Sequence, residues 1–231
     1  MRYIFIHPRL PAEMQRLLSA YGKCIPLPPF EKLPHPVSSH PDMLMANIEG
    51  TLFVHQEYEQ GQSLLTSLGV PFSVSHSPVE KEYPKDVRLN CFSLQGCLFA
   101  NKKAVSGDLL RFAEEKAIKW IPVKQGYAKC ATAIAGDAVA TADPSIAKAT
   151  AKEGIPTFFL KPQPIGIEVY DTGFIGGACV SLDDKLLFFG KIEDALQYEE
   201  LRDFFKQQGV SLISLSGEPL FDYGGAVVYD F

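Results

Sequence analysis

The chain has 231 residues, of which 46% are hydrophobic, and it carries a formal net charge of −5 at pH 7. No apolar run comes near the roughly 20 residues that a transmembrane helix needs, and no signal peptide is recognisable at the start. We therefore expect a cytoplasmic protein that does not enter a membrane. The 22 basic residues are dispersed, which argues against nucleic acid and leaves small molecules or proteins as partners.

The cysteine, histidine and glycine patterns give no sign of a cofactor. The five cysteines stand at scattered spacings without a CxxC pair, which favours reduced thiols over a disulfide framework. The spacing of His35, His40, His55 and His76 fits no helical or hairpin set of metal ligands. The glycine-rich run 173–177 lacks the pattern of a phosphate-binding loop. We predict neither a metal nor a cofactor.

The chain opens with the apolar run Arg2–Ile6, which predicts a strand. A helix and a second strand follow, and they end near Pro28. No strand precedes Arg2, so the first strand has no hairpin partner in its own part of the sequence.

Four further segments repeat one order of elements, namely strand, turn, strand, helix and strand. The helix of the first, third and fourth copies is predicted to end at Gly69, Gly154 and Gly209 respectively. Ser106 and Asp143 precede the helical runs of the second and third copies, where we expect their side chains to cap the helices.

The turn between the first two strands of each copy carries residues that tolerate a positive φ. These turns are Glu49-Gly50, Gln95-Gly96, Gly136-Asp137 and Asp183-Asp184. Equivalent points fall 46, 40 and 48 residues apart, a narrow spread that supports a true repeat.

The C-terminal run DYGGAVVYDF is rich in strand-forming residues, and no helix follows it. Asp230 lies 46 residues after Asp184, where the turn of a further unit is expected. We therefore predict that the last strand pairs with the first and completes a fifth unit. The predicted fold is an α/β five-bladed ring of ββαβ units, forming a single domain over residues 1–231.

Five ββαβ units around a pseudo-fivefold axis resemble the pentein fold, an α/β propeller. The segments 40–50, 126–146, 170–180 and 217–225 are also similar to those of an uncharacterised bacterial family of that fold. Penteins include arginine deiminases, dimethylarginine hydrolases, amidinotransferases and a ribosome anti-association factor with no enzymatic role. The resemblance implies a site at the axis of the ring.

The pentein hydrolases and transferases resemble one another in their catalytic set: a cysteine nucleophile on the last unit, a histidine on the third and acidic residues on the first two. Matched unit by unit, the resemblance places Asp42 at the first acidic position and Asn90 at the second. Cys130 stands on the third unit, which has no histidine, and the fifth unit offers Asp222 but no cysteine.

We predict Cys130 and Asp42 as the catalytic residues. Lys129 is a neighbouring cation that can lower the pKa of the Cys130 thiol, although adjacent residues on a strand point to opposite faces. A buried structural cysteine and a turn aspartate are the alternatives for these two positions. Polar residues near the starts of the inner strands are predicted to bind substrate. They are Asn90, Lys129, Asp171 and Asp222.

The leading hypothesis is a hydrolase or transferase that acts on a polar, cationic guanidino or amide nitrogen compound. The alternative is a non-catalytic pentein-fold binding or interaction protein, which the missing histidine and terminal cysteine favour. An enzyme requires the predicted residues to line one concave cavity with at least one perturbed pKa. A binding platform requires an exposed apolar patch on a flat face.

Overall fold

The computed structural model describes residues 1–231, and fifteen strands form five sheets of three strands each. The strands are β1 (Arg2–Ile6), β2 (Lys23–Pro26), β3 (Met45–Ile48), β4 (Thr51–His55), β5 (Ser73–Ser75), β6 (Phe92–Leu94), β7 (Cys97–Ala100), β8 (Lys119–Pro122), β9 (Thr132–Ala135), β10 (Ala138–Thr141), β11 (Thr157–Phe159), β12 (Cys179–Leu182), β13 (Lys185–Phe188), β14 (Ser211–Ser214) and β15 (Val227–Asp230).

Six α-helices accompany the strands. They are α1 (Ala12–Leu18), α2 (Pro41–Leu44), α3 (Glu59–Ser67), α4 (Gly107–Glu115), α5 (Pro144–Lys152) and α6 (Tyr198–Gln207). Two short 3₁₀ turns are found at His35–Val37 and Ile192–Asp194. No helix is both long and apolar enough to cross a membrane.

Each sheet has the same internal order. An inner strand pairs antiparallel with a middle strand, and the middle strand pairs parallel with an outer strand. A helix connects the middle strand to the outer strand, because parallel neighbours need a crossover that a hairpin cannot supply. The middle strands are buried almost throughout, which explains why they read as continuous apolar runs.

The predicted turns and helix ends are confirmed. Glu49, Gln95 and Asp183 have positive φ values of 48°, 50° and 55°, in the left-handed region that two-residue hairpin turns demand. Gly69 and Gly154, with φ values of 68° and 79°, follow the ends of α3 and α5.

The ring closes through the pairing of the two ends of the chain. β15 runs antiparallel to β1, with Arg2 opposite Asp230 and Ile4 opposite Val228. The Arg2 guanidinium also bonds Asp230 and Asp183, at 2.8 Å each. β1 therefore pairs with a strand from the C-terminus, as the repeat predicts, and it becomes the middle strand of its sheet.

The N-terminal cap of α5 provides a direct test of the capping role predicted for Asp143. The Asp143 carboxylate accepts bonds from the backbone N–H groups of Ser145 and Ile146, at 2.8 and 2.9 Å. We expect Asp143→Ala to lower the free energy of unfolding by about 1 kcal/mol, because both donors lose their partner. Asp143→Asn keeps an acceptor at this position and should cost less in the same urea titration. Equal losses in the two variants would contradict the capping role.

Candidate functional site

The inner strands surround a cavity of about 310 Å³, called here the axial cavity. All five inner strands, β3, β6, β9, β12 and β15, contribute to its lining. Asp42 and Lys129 also line it, and most of the remaining surface is apolar. The ring thus has a hollow at the place where the five units converge.

A second cavity, with a volume of about 180 Å³, is called here the aromatic cavity. Its polar lining includes Cys130, Asp222 and His40. Its apolar lining includes Met43, Tyr127, Ile167 and Phe174. Cys130 and Asp222 come from the third and fifth units, so only the closed ring brings the thiol and the carboxyl to one cavity.

His40 and Asp222 also line a third space, called here the polar cleft, with a volume of about 390 Å³. His7, Arg9 and Glu168 are among its other lining residues. Arg9 and Glu168 form an ion pair there. The cleft and the aromatic cavity share two lining side chains, so His40 and Asp222 border both spaces.

Asn90 is the hydrogen-bonding hub between the first and third units. Its side-chain N–H groups donate to the Cys130 Sγ at 2.9 Å and to the Asp42 carbonyl oxygen at 3.1 Å. Its Oδ1 accepts from the backbone N–H groups of Lys129 and Cys130, at 2.9 and 3.1 Å. A neutral amide that both donates and accepts can make all four contacts, which an ionised carboxylate cannot do.

Asp42 is a buried acid with few hydrogen-bond donors around it. It lies in α2, only 2% exposed, and neither carboxylate oxygen makes a hydrogen bond of normal geometry, although the Cys130 thiol lies close enough to oppose part of the rise in its pKa. Burial, followed by the charge of Asp222, raises the pKa of Asp42 to about 7, and Lys129 partly opposes this increase. A buried acid without such bonds is uncommon in folded proteins and marks a candidate site.

Asp222 is held tightly by the backbone around it. Its oxygens accept bonds from the N–H groups of Gly224 and Phe174, at 2.8 Å each. A Cβ at Gly177 would lie 2.0 Å from the Asp222 Oδ1, so only glycine allows this approach. Burial raises the pKa of Asp222 to about 6, against the opposing effects of the two hydrogen bonds and Lys129.

The environment of Cys130 corrects two expectations. The residue lies in a turn ahead of β9, which begins at Thr132, and not within the strand. The pKa of its thiol is raised well above the ordinary value, first by burial and then by the charges of Asp42 and Asp222. Lys129 lines the axial cavity and Cys130 the aromatic cavity, so the lysine does not activate the thiol.

Four of the predicted residues, Asp42, Asn90, Cys130 and Asp222, form one buried cluster. They do not line one cavity: Asp42 lines the axial cavity, Cys130 and Asp222 line the aromatic cavity, and Asn90 lines neither. Lys129 lies beside the cluster, where its charge lowers the pKa of both aspartates. Asp171 is not part of it: the residue is exposed in the loop between β11 and β12 and lines none of the three cavities. An unpaired carboxylate keeps its hydration there at no cost.

The fold is similar to that of solved pentein enzymes, at low sequence identity. DDAH from Pseudomonas aeruginosa, complexed with citrulline, covers 93% of this chain and 92% of its own, with a TM-score of 0.53 and 11% identity. Agmatine deiminase from C. jejuni with substrate bound covers 98% and 92%, with a TM-score of 0.57 and 9% identity. An amidinotransferase of the saxitoxin biosynthetic pathway, from Microseira wollei, covers 92% and 87%, with a TM-score of 0.58 and 12% identity. The chain therefore has the pentein fold, as its sequence resemblance implies.

A family model matches residues 5–227, nearly the whole chain. The chain belongs to DUF6873, a family of unknown function. No curated protein matches the sequence.

The site of this DUF6873 chain includes a histidine that sequence reasoning missed. The His40 ring is 4% exposed, and its Nδ1 lies 3.8 Å from the Asp222 Oδ1. Burial, then the neighbouring His7 and Arg9, lowers the pKa of His40 to about 3, so the ring is neutral. His40 precedes a proline, which favours extended or turn geometry and by itself gives no sign of a catalytic role. Its position two residues before Asp42 was the available signal.

Proposed function

We propose that this DUF6873 chain is a hydrolase or transferase that acts on a small cationic nitrogen compound, such as a guanidine, bound in the aromatic cavity. One observation carries the proposal. Cys130 and Asp222 line the same cavity, while the Asp42 carboxylate, buried without a hydrogen bond of normal geometry, lies beside the thiol. A nucleophile, a proton acceptor and a cation-binding acid are thereby adjacent.

The charge balance of the cluster favours a cationic ligand. Lys129 is the one cation that acts on both buried carboxyls, Asp42 and Asp222, and Arg9 in the adjoining polar cleft is already paired with Glu168. A cation bound against Asp222 would stabilise the ionised form of every acid in the cluster and lower the pKa of the Cys130 thiol. The ligand itself would thus activate a nucleophile that is protonated in its absence.

The reaction follows from these roles. The Cys130 proton passes to Asp42, and the thiolate forms a C–S bond to the guanidinium carbon. The C–N bond then breaks, and the leaving amine takes the proton from Asp42. In a hydrolase, water attacks the remaining thiouronium carbon, the C–S bond breaks, and the thiol regains a proton. In a transferase, an amine acceptor replaces the water.

A non-catalytic binding protein is the second candidate. The raised pKa of Cys130 favours it, because a thiol that stays protonated is a poor nucleophile. The two candidates share the cation-binding role of Asp222 and differ only in whether a bound cation makes the thiol reactive.

Paired alkylating agents test the proposal. Chloroacetamidine is cationic, and chloroacetamide is its neutral counterpart of similar size. We expect the cationic reagent to label Cys130 at least about tenfold faster at pH 8, after correction for intrinsic reactivity towards a free thiol, and Asp222→Asn to remove most of this preference. Peptide mass spectrometry measures both rates.

The preference should depend on pH. The pKa values of Asp222 and Asp42 are raised to about 6 and about 7, so both acids gain protons as the pH falls from 8 to 5. The cationic reagent should therefore lose its advantage over this range. Equal labelling by both reagents at pH 8 would reject the catalytic proposal and leave the binding protein.

A further inference from the structure

The aromatic cavity differs in character from the polar cleft beside it. Its lining contains no lysine or arginine, and its only potential cation is His40, whose pKa is lowered to about 3. Arg9, the arginine that lines the neighbouring cleft, is already paired with Glu168. A ligand that carried a carboxylate into the aromatic cavity would find no cation to pair with it.

The walls of the cavity are apolar and well supported. The rings of Tyr127 and Phe174 stack with centroids 5.8 Å apart, and Tyr127 also stacks on Tyr83 at 6.0 Å. The Tyr127 hydroxyl donates to Asp86 at 2.6 Å, which fixes the polar end of this ring. Met43 and Ile167 add to the apolar surface. A wall held in this way is already shaped for a flat apolar group.

The size of the space limits the ligand. The cavity of about 180 Å³ is slightly larger than an apolar cavity of about 150 Å³, which is enough to hold benzene. A benzene ring with one amidine or guanidine group therefore matches this space in size. The acid at the site, Asp222, is 1% exposed, so the charged end of such a ligand would be desolvated.

On the basis of the proposed function, we infer that the substrate is a compact amidine or guanidine with an apolar, preferably aromatic, substituent and no carboxylate. The charged end contacts Asp222 near Cys130, and the substituent packs against Tyr127 and Phe174. Free amino acids with a guanidino group are excluded because their carboxylate would be buried without a cation to pair with it.

Calorimetric titration of the full chain at pH 8 with acetamidine, benzamidine and L-arginine tests this inference. Acetamidine and benzamidine carry the same cation and differ in the apolar group. We expect benzamidine to bind at least about tenfold more tightly than acetamidine, since apolar groups in such pockets typically contribute that much. L-Arginine should bind at least about tenfold more weakly than benzamidine.

Substitutions in the aromatic wall of the cavity test whether this wall causes the preference for benzamidine. Phe174→Ala should reduce the affinity for benzamidine at least about fivefold and leave acetamidine unchanged, whereas Phe158→Ala, at a partly buried phenylalanine of another cluster, should change neither. Phe174→Leu preserves an apolar side chain in case the alanine variant does not fold. It should retain part of the benzamidine affinity.

The possible failures are distinguishable. Binding of L-arginine as tight as that of benzamidine, or benzamidine affinity unaffected by the Phe174 variants, would overturn the inference and leave the proposed function standing. Absence of binding by all three cations would overturn both.

Discussion

Cys130→Ser is expected to abolish turnover of any substrate, reducing kcat by at least about 1,000-fold, and to eliminate labelling by chloroacetamidine. The physical reason is that a serine hydroxyl next to Asp42 is a much weaker nucleophile than a thiol whose pKa a bound cation has lowered. Knockouts of nucleophiles in other enzymes cost this much or more. The variant should still bind benzamidine, because Asp222 is unchanged.

Cys91→Ser is the matched control. Cys91 is also buried and lines the axial cavity, and burial raises the pKa of its thiol to about 12. The control variant carries the same chemical change on the other side of the cluster and should keep both labelling and turnover. Unchanged turnover in Cys130→Ser would remove the covalent mechanism.

Asp42→Asn is expected to stabilise the protein at pH 8, by roughly 2–4 kcal/mol in the free energy of unfolding. The pKa of Asp42 is about 7 in the folded chain against 3.8 for an ordinary aspartate. Between these values the folded state binds a proton that the unfolded chain has lost, so the stability of the wild type falls as the pH rises from 4 to 7. An asparagine at this position does not ionise, so the variant does not lose this stability as the pH rises.

Urea titrations at pH 4 and pH 8 test both the sign of the stability difference and the pH range in which it develops. The stability difference between Asp42→Asn and the wild type should be small at pH 4, grow through pH 7 and then remain constant. Buried histidines such as His40 and His7 have lowered pKa values and act in the opposite direction, but they cancel because both proteins contain them. Asp171→Asn, at an exposed position, should change stability by less than about 0.5 kcal/mol.

A destabilised Asp42→Asn variant at pH 8 would show that the ionised carboxylate is needed for folding. It would contradict the view of Asp42 as a site residue retained at a cost to stability. A stabilised variant without turnover would show that this chain has sacrificed stability for chemistry, as catalytic sites commonly do.

The energetics of the cluster explain why it can serve as a binding site at all. Two acids and a thiol are brought together under burial that disfavours the charged form of each. The hydrogen bonds of Asn90, and those that Asp222 accepts from Gly224 and Phe174, hold these groups in place. A ligand of opposite charge relieves the cost, and binding then needs little rearrangement of the protein.

The strand order, the turns and the helix ends were predictable from the sequence because they depend on local chemistry. Gly96 tolerates a positive φ wherever it stands, and Asp143 caps the helix that begins at Pro144 without help from distant residues. Because these signals repeat from unit to unit, β1 also needs an antiparallel inner strand as its partner. The strand-forming run at the C-terminus provides it. The ring thus followed from residues that are neighbours in sequence.

The character of the site could not be read in the same way. Asp42, Asn90, Cys130 and Asp222 were identifiable as polar residues near strand starts, but their protonation depends on burial and on mutual contacts that arise only when the ring closes. For that reason the sequence suggested an activated thiol beside Lys129, whereas the folded chain raises its pKa. Asp171, at a position that looked equivalent, is exposed in the loop between β11 and β12.

The sequence by itself determined the repeat, the closure of the ring and the residue types available at its axis, since propensity and spacing act over a few residues. Only the tertiary structure decided which of those residues share a cavity, which are charged, and that His40 joins them. The reason is that desolvation and Coulomb interactions depend on distances between units that are 40 or more residues apart in the chain.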